Sequence, residues 1–298
     1  MSRDFTLPKT LDGIWELVQR YDGFIIDLFG VLYDGHSLFS GVQTALDTLH
    51  QANKKLVLLS NTPHAATFTK SQIESWGINP ALFDGVVTSG ELAFQAMHNP
   101  QDDAHKALGV RYFAIGQPWS DLFEERLSAK TRVQSVEDAD FVLLSNPEER
   151  HHDHHIVEDE LARMAQRNLP MICACPDLIV AIGHDLKMTG GTIARRYEEK
   201  FGGKVLYHGK PHRSAYQECE AILDMENRGR IVCIGDALRT DVAGGAMAGF
   251  DTVFNLPGIH WQDIVAEKGR DEICKTSLSA LIENAEYKPT YLLNGFKL

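Results

Sequence analysis

The residues with chemical potential in this chain sit at the ends of apolar strings. Phe24-Ile25-Ile26 stops on Asp27 and the chain breaks at Gly30. A strand that ends this way presents a carboxylate at the carboxyl edge of a sheet, where open α/β folds place their ligands. That is where a nucleophile would stand, although an aspartate there can also cap a turn or a helix. Three later segments repeat the pattern. Leu56-Val57-Leu58-Leu59 ends on Ser60-Asn61-Thr62-Pro63, Val205-Leu206-Tyr207-His208-Gly209 delivers Lys210-Pro211, and Ile231-Val232-Cys233-Ile234 delivers Gly235-Asp236, with Thr240-Asp241 close behind. An aspartate, a serine, a lysine and an acidic pair therefore follow one another in order.

In these segments the chain resembles the haloacid dehalogenase superfamily, whose four motifs are a strand-end Asp, a strand-end Ser or Thr, a Lys and a late acidic cluster. It is most similar to the capped class IIA subfamily of sugar-phosphatase and pyridoxal-phosphate-phosphatase-like enzymes. The matching strings are Asp27-Leu28-Phe29-Gly30-Val31-Leu32, Leu59-Ser60-Asn61, Thr88-Ser89-Gly90, Gly209-Lys210-Pro211 and Gly235-Asp236-Ala237-Leu238-Arg239-Thr240-Asp241. The resemblance covers about residues 20 to 260.

The resemblance implies hydrolysis of a small phosphorylated metabolite through an aspartyl-phosphate intermediate. Such a reaction needs a nucleophile, neutralisation of the phosphoryl oxygens and a proton for the departing oxygen. Asp27 is the implied nucleophile. The Ser60 hydroxyl and the backbone N–H groups of the Ser60-Asn61 turn would hold the transferring group. Lys210 would add positive charge and keep Asp27 ionised. Mg²⁺ is the implied cofactor, held by Asp27, the backbone carbonyl of Phe29 and Asp236. Asp241 would bond metal-bound water or Lys210; Asp236 and Thr240 could equally cap the following helix.

One position departs from the superfamily's pattern. Phe29 stands where its phosphatases usually carry a second Asp, the group that protonates the leaving oxygen and later activates water. General acid–base help is worth about 10²–10⁴-fold, so slow turnover of ordinary alkyl phosphates is expected unless another group substitutes. Asp34 and His36, in the loop just after the motif, are the replacements the sequence offers. A substrate with a good leaving group would need less help. The competing readings are a catalytically impaired binding or regulatory protein on the same fold, and another hydrolase chemistry such as carbon–halogen cleavage, which would leave the acidic pair without a purpose.

The elements that must position these residues read as α/β. Strands at 24–27 and 56–60 flank an amphipathic helix near Val42 to Asn53, in which Val42, Ala45, Leu46 and Leu49 recur at helical spacing. A second helix, about Ala65 to Trp76, ends at Gly77. Between about Gly90 and Leu178 the chain alternates again: strand 112–115, helix 121–127, strand 141–144, helix 154–167, strand 171–174. That is enough for a small layer of its own. The last third resumes with strands 205–207, 231–234 and 252–254. The expected architecture is a doubly wound, Rossmann-like parallel-sheet core made of residues 1–89 and 179–298, with an inserted α/β cap domain at 90–178.

Composition narrows the partners. With 29 Lys plus Arg against 41 Asp plus Glu, the net charge of −12 removes any general attraction to nucleic acid or anionic lipid. No apolar run approaches the roughly 18 residues of a membrane span, and Met1 to Thr10 lacks an apolar signal core, so a cytoplasmic location is expected. Five cysteines in a chain of 298 residues read as reduced structural thiols; Cys173-Ala174-Cys175 lacks the two-residue spacer of common zinc or redox pairs. A homodimer through the cap is expected by family analogy. His151 and His155, at i and i+4 in a histidine cluster, are a weaker metal candidate. The glycines of Gly244-Gly245-Ala246-Met247-Ala248-Gly249 suit close helix–sheet packing, Met188 to Thr192 reads as the connection from cap back to core, and the aromatic tail (Tyr287, Tyr291, Phe296) is expected to pack on the core.

Overall fold

Two parallel sheets organise the chain. The computed structural model describes residues 5–116, 126–147, 154–183, 185–266 and 272–298. The larger sheet has seven strands in the order Lys9–Leu11, Tyr291–Leu293, Asp251–Asn255, Ile231–Gly235, Gly23–Ile26, Lys55–Ser60, Gly85–Thr88, and every pairing is parallel. Gly23–Ile26 is buried along its whole length, as parallel strands covered on both faces must be. Phe24 and Ile26 point into a cluster with Leu46, Leu49 and Ile73 of the helices Val42–Gln51 and Ala66–Ser75. Ile25 points the other way, with Val57, Cys233 and the residues Tyr216, Cys219 and Leu223 of helix Arg213–Leu223.

The smaller sheet runs Val205–Tyr207, Met171–Cys173, Phe141–Leu144, Arg111–Ile115, Thr131–Val133, again all parallel. Helices His154–Gln166 and Gly190–Phe201 cover one face through Val157, Leu161, Ile193 and Tyr197. Helix Ser89–His98 covers the other through Ala93, Phe94 and Met97. An antiparallel hairpin, Ile179–Ile182 with Asp185–Met188, lies between the two.

This arrangement corrects two readings of the sequence. Strand 205–207 does not resume the core: Val205, Leu206 and Tyr207 pair with Met171, Ile172 and Cys173, extending the smaller sheet. Gly190 and Gly191 are not a returning linker. They open a helix of that layer, and a Cβ on either would lie 2.3 Å from a backbone carbonyl, of Ser145 and of Pro176 respectively. The second layer thus runs to Tyr207 rather than stopping at 178, because a three-residue apolar string carries no mark of which sheet it joins.

Other expectations hold. Gly244 and Gly245 let their helix approach Tyr216 and the strands bearing Cys233 and Thr252, and Tyr291–Leu293 and Phe296 pack into the core. The edge strand Lys9–Leu11 is an addition with no sequence signal strong enough to announce it. All but the last two residues of the expected helix at 121–127, and the side chains of the His151 cluster, lie outside what the structure describes. No described helix is long and apolar enough to cross a membrane.

Candidate active site

Register brings the strand-end residues together. Ile26 pairs with Leu58 on one side and Ile234 on the other, so three adjacent strands of the large sheet release Asp27, Ser60 and Asp236 at one edge. The strand order reverses at Gly23–Ile26, and a crevice at such a switch point is the place for a ligand. The Asp27 N–H donates to the Ile234 carbonyl at 2.9 Å, continuing the ladder one residue past the strand.

Lys210 arrives from the loop after the smaller sheet. Its Nζ lies 2.6 Å from Asp27 Oδ1 and 2.7 Å from Asp241 Oδ1, and all three side chains are buried. Asn61 fixes that loop: it accepts the Lys210 N–H at 2.7 Å and donates to the Lys210 carbonyl at 3.0 Å and to Asp177 Oδ1 at 2.8 Å. Gly209 passes so close, at φ +101°, that a Cβ there would sit 2.3 Å from Asn61 Oδ1. Thr88-Ser89-Gly90 fastens the same region: Thr88 Oγ1 donates to the His64 carbonyl and Ser89 Oγ to the Thr62 carbonyl.

Asp236 occupies a cradle. A Cβ on Gly30 (φ +75°) would fall 1.8 Å from its Oδ2, and one on Gly258 (φ +143°) 2.2 Å from it. The Ile259 N–H donates to that oxygen at 2.8 Å. Asp241 sits in a five-residue π-helical stretch, Leu238–Val242, where its Oδ2 accepts the Ala237 N–H at 3.1 Å. Neither Asp236 nor Thr240 caps this turn with its side chain.

The electrostatics are unbalanced. Oxygens of Asp27, Asp236 and Asp241 lie within 4.8 Å of one another, and Lys210 pairs with only two of them. Burial, then the charge of Asp241, pushes the Asp27 carboxyl up to about 8 against the pull of Lys210. Burial and the neighbouring Asp27 and Asp241 push Asp236 well above the carboxylate range. For Lys210, burial opposes the charge, but Asp241, Asp27 and Asp177 outweigh it and hold its pKa above the ordinary lysine value. Three buried carboxylates around one ammonium fit a hard divalent cation, which takes oxygen ligands and supplies the missing positive charge.

Phe29 turns toward helix Ala66–Ser75. Its ring stands edge-on to Tyr33 and to Trp76, at 5.8 and 6.3 Å between centroids, beside the stacked Tyr33–Trp76 pair at 3.7 Å. It still lines a cavity of about 180 Å³ together with Asp27, Ser60, His64, Asp177 and Lys210. Neither replacement offered by the sequence reaches that cavity. Asp34 Oδ1 accepts the N–H groups of His36 and Ser37, and its carbonyl accepts the Gly183 N–H at the hairpin tip. The 34–36 loop seats the hairpin.

Two cavity residues went unread in the sequence. His64 lies tilted against Phe68 with 4.5 Å between ring centroids, and its Nδ1 is buried with no partner among the described residues; burial holds its pKa below the ordinary value. Asp177 stands four residues past strand Met171–Cys173, where Asp27 directly follows its own, so only a looser strand-then-acid pattern could have found it. Cys173 and Cys175, beside it, are buried thiols; burial pushes Cys173 up to about 12, which leaves both inert.

Comparison with known proteins gives the family and agrees with the fold. The family model for haloacid dehalogenase-like hydrolases matches residues 21–249, and a second, HAD-hydrolase-like model matches 207–296. Chronophin from Bos taurus is 24% identical over 257 residues, covering 82% of this chain and 84% of that protein. An acid sugar phosphatase from Staphylococcus saprophyticus is 22% identical over 255 residues, covering 84% and 92%. Among solved structures, a haloacid dehalogenase-like family hydrolase from Brucella suis superposes with a TM-score of 0.75 at 27% identity, covering 97% of this chain and 99% of that one.

Proposed function

The chain belongs to the haloacid dehalogenase-like hydrolases, and we propose that it is a Mg²⁺-dependent phosphohydrolase acting on a small phosphorylated metabolite through an aspartyl-phosphate. The observation that carries this reading is the Lys210 ammonium held between Asp27 and Asp241, with Asp236 alongside and without a cationic side-chain partner among the described residues. The Lys210 ammonium, 2.6 Å away, favours the Asp27 carboxylate against burial and the charge of Asp241, and a bound cation would add to that pull. Asp27 then attacks phosphorus, and the leaving oxygen departs. Lys210, the Ser60 hydroxyl and the N–H groups of the Ser60-Asn61 turn neutralise and orient the phosphoryl oxygens. Asp241 holds Lys210 in place.

The metal would be held by Asp27, Asp236 and the Phe29 carbonyl, and it would neutralise charge on the transferring phosphoryl. The names of the relatives, an acid sugar phosphatase among them, support a phosphomonoester substrate. The cavity of about 180 Å³ supports a small one. All five cysteines are free, which supports a reducing, cytoplasmic setting.

The test is phosphate release from sugar phosphates, pyridoxal phosphate, nucleotides and aryl or acyl phosphates, with and without Mg²⁺, against Asp27→Asn. Magnesium-dependent turnover that the substitution abolishes is the expected result. Metal binding without turnover on any of these would overturn the reading in favour of a binding protein.

A further inference from the structure

Position 29 cannot supply a proton, yet the cavity contains a carboxyl that the mechanism above does not use. Asp177 lies on the segment leading from strand Met171–Cys173 of the smaller layer into the hairpin at Ile179–Ile182. It lines the same cavity as Asp27 and Phe29. Its Oδ1 accepts the Asn61 amide at 2.8 Å. Its Oδ2 has no partner among the described residues, and the side chain is not sealed from the cavity. Resting on the phosphohydrolase reading, we propose that Asp177 is the general acid and base of this protein, delivered from the second layer in place of the Asp missing at position 29.

The surroundings suit a carboxyl that keeps its proton until the reaction needs it. The charged and titratable groups that act on it are Lys210 and Asp241 from the catalytic cluster, Arg239 from the π-helical stretch, and Asp27, whose own charge it disturbs in turn. Cys175 and Cys173, on its own segment, are protonated thiols. Arg239 is turned away to the Pro176 carbonyl, 2.9 Å from its Nη2. Burial outweighs Lys210 and the Asn61 bond and raises the carboxyl above its usual range. A bound phosphate dianion adds negative charge nearby and strengthens the hold on the proton.

The proton then balances over the cycle. As the bond from phosphorus to the leaving oxygen breaks, its electron pair goes to that oxygen, which takes the Asp177 proton and departs as an alcohol. Water next attacks the aspartyl-phosphate and gives one proton to the Asp177 carboxylate. The bond from phosphorus to Asp27 breaks, phosphate leaves, and both side chains are restored.

Asp177→Asn tests this, because the amide oxygen still accepts from Asn61 while the acid is lost. The readout is kcat/KM, in Mg²⁺, for an alkyl phosphate and for 4-nitrophenyl phosphate, whose leaving group departs unprotonated. The alkyl value should fall by about 10²–10⁴-fold and the aryl value by much less. In Asp177→Asn the aryl substrate should also show a burst of nitrophenolate followed by slow turnover, since the base for the second step is gone. Adding Phe29→Asp to Asp177→Asn should restore alkyl turnover. Equal losses on both substrates, or no rescue by Phe29→Asp, would reduce Asp177 to a support for Asn61 and overturn the proposal. A wild-type protein that cleaves neither substrate would sink the phosphohydrolase reading and this proposal with it, a result distinct from a wild-type aryl activity that Asp177→Asn leaves with an unaltered substrate ratio.

Discussion

Asp236→Asn should abolish a stabilisation by Mg²⁺ that the wild-type protein shows, and the structure sets its size. Asp27, Asp236 and Asp241 carry three negative charges when ionised, and Lys210 supplies one positive, leaving −2 in a buried cluster. Two like charges about 4.8 Å apart repel by about 3 kcal/mol at an effective dielectric constant near 20. A divalent cation converts that repulsion into attraction. At a hundredfold excess over Kd, binding to the folded state adds about 2.7 kcal/mol, or a rise in Tm of about 4 °C for a chain of 298 residues.

The amide of Asp236→Asn removes one like charge, so the metal-free variant should be at least as stable as the metal-free wild type while losing the response to Mg²⁺. The sign of the pH dependence follows from the raised pKa of Asp236. Without metal, the folded carboxyl binds a proton that the unfolded one has lost above about pH 4, so this group costs stability as pH rises. Mg²⁺ cancels that cost, and the metal-induced shift should therefore be larger at pH 7.5 than at pH 5.5. Thermal unfolding with MgCl₂ against NaCl of matched ionic strength reads all of this. An equal Mg²⁺ response in wild type and Asp236→Asn would refute the reasoning.

Three further outcomes follow from contacts near the site. Gly258→Ala, whose Cβ would lie 2.2 Å from Asp236 Oδ2 at φ +143°, should displace that carboxylate and lose the Mg²⁺ shift; a retained shift in the same thermal assay would show that the cradle yields. Asn61→Ala removes both bonds to the Lys210 backbone and leaves a buried N–H unpaired; urea unfolding should report a loss of about 2–4 kcal/mol, and a loss within about 0.5 kcal/mol would contradict it. His208, buried and 3.1 Å from His105 Nε2, is pushed down to about 3 by burial and then by His105. Its unfolded form protonates below about pH 6.5 while the folded form does not, so stability present above that pH should fall by about 2 kcal/mol on going to pH 5. Unfolding measured across that range should be less pH-dependent in His208→Gln; an unchanged slope would assign the effect elsewhere.

The strand-end position of Asp27 was legible in the chain because it is a local pattern. A fully apolar string of strand length that ends in a charged residue and a glycine has few other ways to satisfy both burial and solvation. Ser60 and Asp236 also close apolar strands, and parallel pairing brings all three to one edge, Asp27 one residue past Ile26 and the others two residues past its partners Leu58 and Ile234. Helix periodicity likewise announced Val42–Gln51 and Ala66–Ser75 to within two residues.

What tertiary structure alone decided is whatever depends on partners distant in sequence. Val205–Tyr207 looks like any core strand, and only its pairing with Met171–Cys173 assigns it to the second layer. Asp34 and His36 were close to Asp27 in sequence, but local hydrogen bonds turned them to the hairpin, while Asp177, 150 residues away, entered the cavity. Gly30 and Gly258 form one cradle from two ends of the chain. Sequence spacing fixes which side chains leave a strand together; which cavity they share is set by the packing of one layer on another.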